Sequence, residues 1–193
     1  METRAAASSA TRTRLSEAAL TVVGQVGADA LTMQGVAEAA DVALRTLYNY
    51  FPTREELLRE AMTTLLDDTR AAVRELVPDE GSPKERVVHF VEAYYRSYER
   101  QGIAAAALLR AQGVAGVEEQ VAEIRAWRRQ QLKSLLRAAA ADRGLRLPIA
   151  QAVAVAYSLT AYATWSALVN DSRLSPDAAR AAARHTIESA IVR

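Results

Sequence analysis

Apolar residues recur along this chain every three to four positions, the spacing of one helical face, and no stretch alternates as a strand would. Over residues 11–26, Leu15, Ala18 or Ala19, Val22 and Val26 share a face. Gly27 ends that first helix, and Gly24 in its last turn costs roughly 1 kcal/mol against alanine. Residues 1–10 read as a flexible arm. Thr32 caps a short second helix that runs to about Ala40, with Leu31 placed to staple against Val36. Asp41-Val42 makes a tight turn, and a third short helix covers residues 43–50. Pro52 interrupts, and Thr53-Arg54-Glu55-Glu56 is a capping box that opens a fourth helix with no breaker before Pro78.

Pro78-Asp79-Glu80-Gly81 is the strongest punctuation in the chain. Ser82-Pro83-Lys84-Glu85 then supplies an N-cap, a first-position proline and a third-position glutamate for a fifth helix, which runs to about Gln101. Gly102 and Gly113 bracket a short sixth. The seventh covers about 117–142 and stops at Gly144; Pro148 opens the eighth, which ends near Asn170; Ser175-Pro176-Asp177 opens the ninth. The pattern predicts an all-α fold of about nine helices. Composition agrees: 41 alanines, and 22 arginines against 2 lysines, are good helix formers, while 8 glycines and 5 prolines leave few turns.

Charge and chemistry narrow the function by exclusion. Twenty-four basic and 23 acidic residues give a net charge of +1, so attraction to nucleic acid, membrane or acidic substrate is a local matter. Without cysteine there is no disulfide, thiol nucleophile or cysteine metal site, which fits a reducing, cytoplasmic setting. His89 and His185 stand far apart, and no HExxH, GxSxG, GxGxxG or phosphate-loop pattern occurs. The expectation is a protein without enzymatic activity, metal or obligatory cofactor. The N-terminus has no apolar signal core. Residues 147–170 carry no charge, but their Ala, Ser, Thr and Gln, with Tyr157, Tyr162 and Trp165 spread along them, suit a helix buried among others better than a membrane span.

Three short helices with a tight turn between the last two describe a helix-turn-helix unit, whose second paired helix enters the DNA major groove. The third helix presents Leu44, Arg45, Thr46 and Asn49 outward, while Leu47 and Phe51 turn inward. Arg45 can fork onto guanine, Thr46 and Leu44 can pack on a thymine methyl, and Asn49 can pair with adenine. Thr32, Tyr48, Tyr50 and Arg54 stand where phosphate contacts would fix register. Residues 1–60 hold six basic and eight acidic residues, so attraction to DNA rests on placement, with Arg4, Arg12 and Arg14 of the arm region facing the same way as the third helix.

The stretch 31–58, with its threonine-capped helix, short turn, Thr46-Leu47-Tyr48-Asn49-Tyr50-Phe51 and Thr53-Arg54-Glu55-Glu56-Leu57, resembles the DNA-binding domain of the TetR family of bacterial repressors. The match covers about residues 12–58; the remainder is similar in helix number and order. The resemblance implies a helix-turn-helix head over 11–58 and an effector-binding and dimerisation domain over 59–193. It places Thr32, Gln34, Leu44, Arg45, Thr46, Tyr48, Asn49, Tyr50 and Arg54 at double-stranded operator DNA. Two positions depart from the family pattern: Asp41 where glycine is common, and Ala43 where a serine cap is common.

The resemblance further implies a homodimer through the last two helices and a small-molecule pocket enclosed by helices five to eight. The chain supplies Phe90, Tyr94 and Tyr98 at spacing four, Trp127 with Gln131 one turn on, and Tyr157, Tyr162 and Trp165. These rings either pack the core or line a pocket. A small apolar or aromatic effector suits them, with tyrosine hydroxyls, Gln131 and His89 as polar partners. The reading is a ligand-responsive regulator, a repressor released from a palindromic operator. The alternative is a helical ligand-binding or adaptor protein with an inactive head, to which the acidic balance of residues 1–60 and Ala43 lend weight.

Overall fold

The computed structural model of the protein describes residues 2–110, 117–141 and 144–192. These residues form α1 (Glu2–Val26), α2 (Met33–Ala39), α3 (Leu44–Tyr50), α4 (Arg54–Leu76), α5 (Pro83–Arg110), α6 (Val117–Ala141), α7 (Ile149–Leu159), α8 (Tyr162–Ser166) and α9 (Pro176–Thr186). Single π-helical segments extend α8 over Ala167–Asp171 and α9 over Ile187–Ile191. Among the described residues there is no strand; one isolated antiparallel bridge joins Leu145 to Val192. The chain is all-α.

Two compact units emerge, Met1–Asp67 with Gln101–Ala122, and Asp68–Arg100 with Glu123–Arg193. In the first unit α1 starts at Glu2, so the arm expected over residues 1–10 is helical; its alanines favour that state over a free coil. Leu15, Ala19 and Val23 of α1 are fully buried, with Val36, Leu47, Phe51, Leu57, Leu58 and Met62. Val26 is 53% exposed and leaves the apolar face one turn early. Gly27 ends α1 at a φ of 86°, a conformation glycine adopts without strain. This unit extends past residue 58 because later segments complete it. Gln101 donates to the Leu65 carbonyl at 2.9 Å, Gln120 donates to the Arg59 carbonyl and Thr63 hydroxyl at 3.2 and 2.8 Å, and Gly24 lies against Ala104.

The fifth and sixth helices read from the sequence run together as α5 and meet at Gly102, where the backbone is non-helical. There φ is 52° and ψ is −133°, a region closed to residues with a Cβ. Gly113 and Asp142, expected as helix ends, lie outside the described residues.

In the second unit, Val87, Val91, Tyr95, Leu132, Leu136 and Ile187 are buried. The uncharged eighth helix is broken at Thr160–Ala161: Ala161 is extended, and the flanking pieces Ile149–Leu159 and Tyr162–Asp171 bend by 55°. Thr160 turns its hydroxyl back to the carbonyls of Ala156 and Tyr157, and Thr164 donates to the Ser158 carbonyl, replacing helical bonds with side-chain ones. No single helix among the described residues is long and apolar enough to cross a membrane. Ala152, Ala156, Thr160 and Trp165 are buried, whereas Ala154, Ser158, Ala163 and Ala167 are exposed, so this segment is not buried all round.

Candidate functional site

The first candidate site is the face of α3. Thr32 caps α2 with its hydroxyl on the Gly35 amide at 3.1 Å, and the buried Leu31 and Val36 close the staple. Asp41 then takes a φ of 52°, the left-handed conformation that aspartate tolerates better than most residues, and aims the chain into α3. Ala43 occupies the N-cap of α3 and offers no side-chain bond. Leu47 and Phe51 are fully buried. The opposite face therefore points outward: Arg45, Tyr48 and Asn49 are exposed, and Leu44, Thr46 and Tyr50 half-buried. Gln34 is exposed on α2 and donates to Glu38 at 2.6 Å.

Two arginines hold this face in place. Arg12 forks onto Glu60 at 2.8 and 2.9 Å, lies 4.5 Å over the Phe51 ring and donates to the Tyr50 carbonyl. The bond to Glu60 raises its pKa above the ordinary value. Arg12 is thus a clamp on the end of α3, with its guanidinium already paired; the side chain of Arg4 lies outside the described residues. Arg54 also turns inward. Its guanidinium donates to the carbonyls of Leu31 and Asp29, each at 3.1 Å, and to that of Ala28. Arg54, expected at a phosphate, braces the turn between α1 and α2, whose three carbonyls one planar fork can collect.

The second candidate site is a cluster of rings in the other unit. Phe90, Tyr94 and Tyr98 follow one another on α5 at centroid separations of 5.2 and 6.1 Å. Trp127 of α6 lies 6.3 Å from Phe90; Tyr162 and Trp165 of α8 lie 5.3 and 6.0 Å from Tyr98. Tyr157 joins through cations, with Arg128 at 4.0 Å and Arg129 at 4.9 Å from its ring. Gln131 is half-buried and makes no hydrogen bond to the cluster. His89 lies 3.5 Å from Glu92, which also pairs with Arg184.

Arg128 is the residue sequence reasoning missed. It is only 9% exposed and donates to the Thr160 carbonyl at 2.7 Å, an acceptor it shares with the Tyr98 hydroxyl at 2.8 Å. That carbonyl is free because the helix breaks there. The signal that could have found it is register: Arg128 falls in line with Val121, Ile124, Leu132 and Leu135, the buried face of α6, whereas the helix break that receives it is silent in the sequence. Burial pushes the hydroxyls of Tyr94 and Tyr98 well above the usual phenol range, so both remain neutral donors. Among the described residues no three His, Cys, Asp or Glu side chains gather as a metal site.

The chain is similar to known proteins in two tiers. Residues 15–61 match the family model of bacterial regulatory proteins, tetR family. The HTH-type transcriptional repressor KstR of Mycolicibacterium smegmatis is 33% identical over 100 residues, 52% of this chain and 49% of that protein. The HTH-type transcriptional regulator BetI of Rhizobium meliloti is 31% identical over 86 residues, 45% of this chain and 42% of its own length. The chain spans about half the length of the relatives it matches. Across nearly the whole chain the fold is that of the TetR family transcriptional regulator PfmR of Thermus thermophilus, with a TM-score of 0.73 at 21% identity, covering 93% of this chain and 96% of that one.

Proposed function

We propose that the chain is a DNA-binding transcriptional repressor of the tetR family of bacterial regulatory proteins, whose family model residues 15–61 match. In this reading it is a cytoplasmic homodimer that leaves a palindromic operator when a small molecule occupies the second unit. The observation that carries the proposal is the α3 face: Arg45, Tyr48 and Asn49 stand exposed on a short helix whose other side is anchored by fully buried Leu47 and Phe51. Such a face enters the major groove, with Leu44, Arg45, Thr46 and Asn49 at base edges. Thr32, Gln34, Tyr48 and Tyr50 take the phosphates.

The dimer reading rests on α7, α8 and α9. Residues 147–170 are uncharged, and exposed Ala154, Ala163 and Ala167 permit close approach of a second copy. On α9 the stripe Ala179, Ala183, Ile187 and Ile191 is buried within the subunit, leaving Ala178, Ala181, Ala182 and His185 half or fully exposed for the partner. Two α3 helices related by a two-fold axis read half-sites one DNA turn apart, roughly 34–36 Å, or a multiple of it. The effector site is the ring cluster of Phe90, Tyr94, Tyr98, Trp127, Tyr162 and Trp165, with Tyr157 and Gln131 at its edge.

Site selection from a random duplex pool with the purified protein, followed by light scattering on the complex, tests this directly. The expected product is an inverted repeat bound by an even number of subunits. A folded dimer that enriches no sequence at low salt would favour a ligand-binding protein with a silent head.

A further inference from the structure

Buried polar atoms in native proteins nearly always have a hydrogen-bond partner, and a buried guanidinium nearly always has an acid. The ring cluster breaks both rules. Nε of Arg128, Oη of Tyr94 and Nε1 of Trp165 are buried and have no hydrogen-bond partner. Arg128 lies 5.5 Å from the Tyr94 ring centroid, and the Trp165 ring is 6.0 Å from Tyr98, the neighbour of Tyr94. All three atoms are donors. Among the described residues no carboxylate pairs with Arg128; its neutral partners are the Thr160 carbonyl and the faces of Tyr94 and Tyr157. Arg129 lies against the same Tyr157 ring and adds a second positive charge, while the remaining cation near Tyr94, Arg70, is already paired with Glu123 at 2.7 Å.

A site with surplus donors, surplus positive charge and aromatic walls is complementary to one kind of guest. We infer that the effector carries a carboxylate on an aromatic or apolar body, and that Arg128 is the residue that receives it. The carboxylate is planar, accepts several hydrogen bonds and matches the guanidinium fork. Its charge offsets Arg128, the neutral Tyr94 hydroxyl and Trp165 N–H supply further donors, and Phe90 and Trp127 face the body. This assignment rests on the ring cluster being the effector site proposed above, and it adds the charge of the ligand and the residue that selects it.

Both tryptophans of the chain, Trp127 and Trp165, belong to the cluster, so tryptophan emission reports this site alone. The full-length protein is titrated with phenylacetate, 4-phenylbutyrate and 2-naphthylacetate, and with the primary amide of each. The acids are expected to bind at least tenfold more tightly than the amides and to raise the melting temperature where the amides do not. In Arg128→Met the acid-over-amide preference falls to within twofold. Arg128→Lys keeps a reduced preference. Equal binding of acid and amide to the natural protein, or a preference that survives Arg128→Met, would overturn the carboxylate assignment and leave the effector site standing. Binding of neither form in any of the three pairs would remove the effector site itself. If the methionine variant does not fold, the melting shifts of the natural protein with acid and amide decide the matter.

Discussion

Asp41 and Ala43 sit two residues apart at the entry to α3, and each leaves an interaction unmade. Asp41 holds a φ of 52°, which costs an L-residue roughly 1–2 kcal/mol. Ala43 caps α3 with no side-chain acceptor. Asp41→Gly is therefore expected to stabilise the protein by up to about 1 kcal/mol, and Ala43→Ser by about 0.5–2 kcal/mol, in chemical denaturation. Arg54 presents the opposite case. It collects three backbone carbonyls, so Arg54→Ala should destabilise by about 2 kcal/mol, with Arg54→Lys recovering little because a point charge cannot span the three. Loss of operator affinity without loss of stability in Arg54→Ala would restore it to the DNA face. At Arg45, exposed at the start of α3, alanine should cost about 1–3 kcal/mol and relax selection at one base position in repeated site selection.

At the scale of elements, the caps were legible and the breaks were not. Thr32, Thr53, Ser82 and Ser175 each accept from a backbone amide three residues on, at the helix starts their spacing indicates. The fifth helix even closes the reciprocal bond, with Glu85 accepting from the Ser82 amide at 3.0 Å. Such signals are local and need no tertiary context. The division at Thr160 is different, since Ser and Thr within a helix bond to solvent as readily as to their own backbone, and only packing decides. Gly102 was legible as the break between two helices, though the kink it makes was not. Nothing lies within 4 Å of a Cβ built there, so the cost of Gly102→Ala is purely conformational. We expect about 2 kcal/mol of lost stability, larger than the 0.5–1 kcal/mol gain alanine gives in an ordinary helix interior. A stabilising substitution would mean that the chain relaxes into a straight helix.

For the whole molecule, the proposed repressor must couple two units. Operator and effector then oppose each other by one and the same factor, typically about 5–150-fold. An effector found by the titrations above should bind the operator complex more weakly than the free protein by that factor, and equal affinities would refute the coupling. The covalent routes for it are α4, α5 and α6, each of which begins in one unit and ends in the other. The helix-turn-helix head and its outward face were readable from residues 31–58 alone, because capping, turn and burial are all local there. The ring residues were readable as a set; Arg128 was readable only through its register with the apolar face of α6, and its acceptor at the Thr160 break was not.

The interleaving of the two units bears on how such a chain can be taken apart. A single cut after residue 67 strips the head of Gln101 and Gln120, which hold the carbonyls of Leu65 and Arg59. A cut after residue 122 parts Phe90, Tyr94 and Tyr98 of α5 from Trp127, Tyr162 and Trp165. Recombination at one junction cannot therefore trade the reading part for another and leave the sensing part whole. New sensing specificity is reached more readily by point changes around the rings than by grafting, and a chimera that keeps this head needs its breakpoints inside three helices at once.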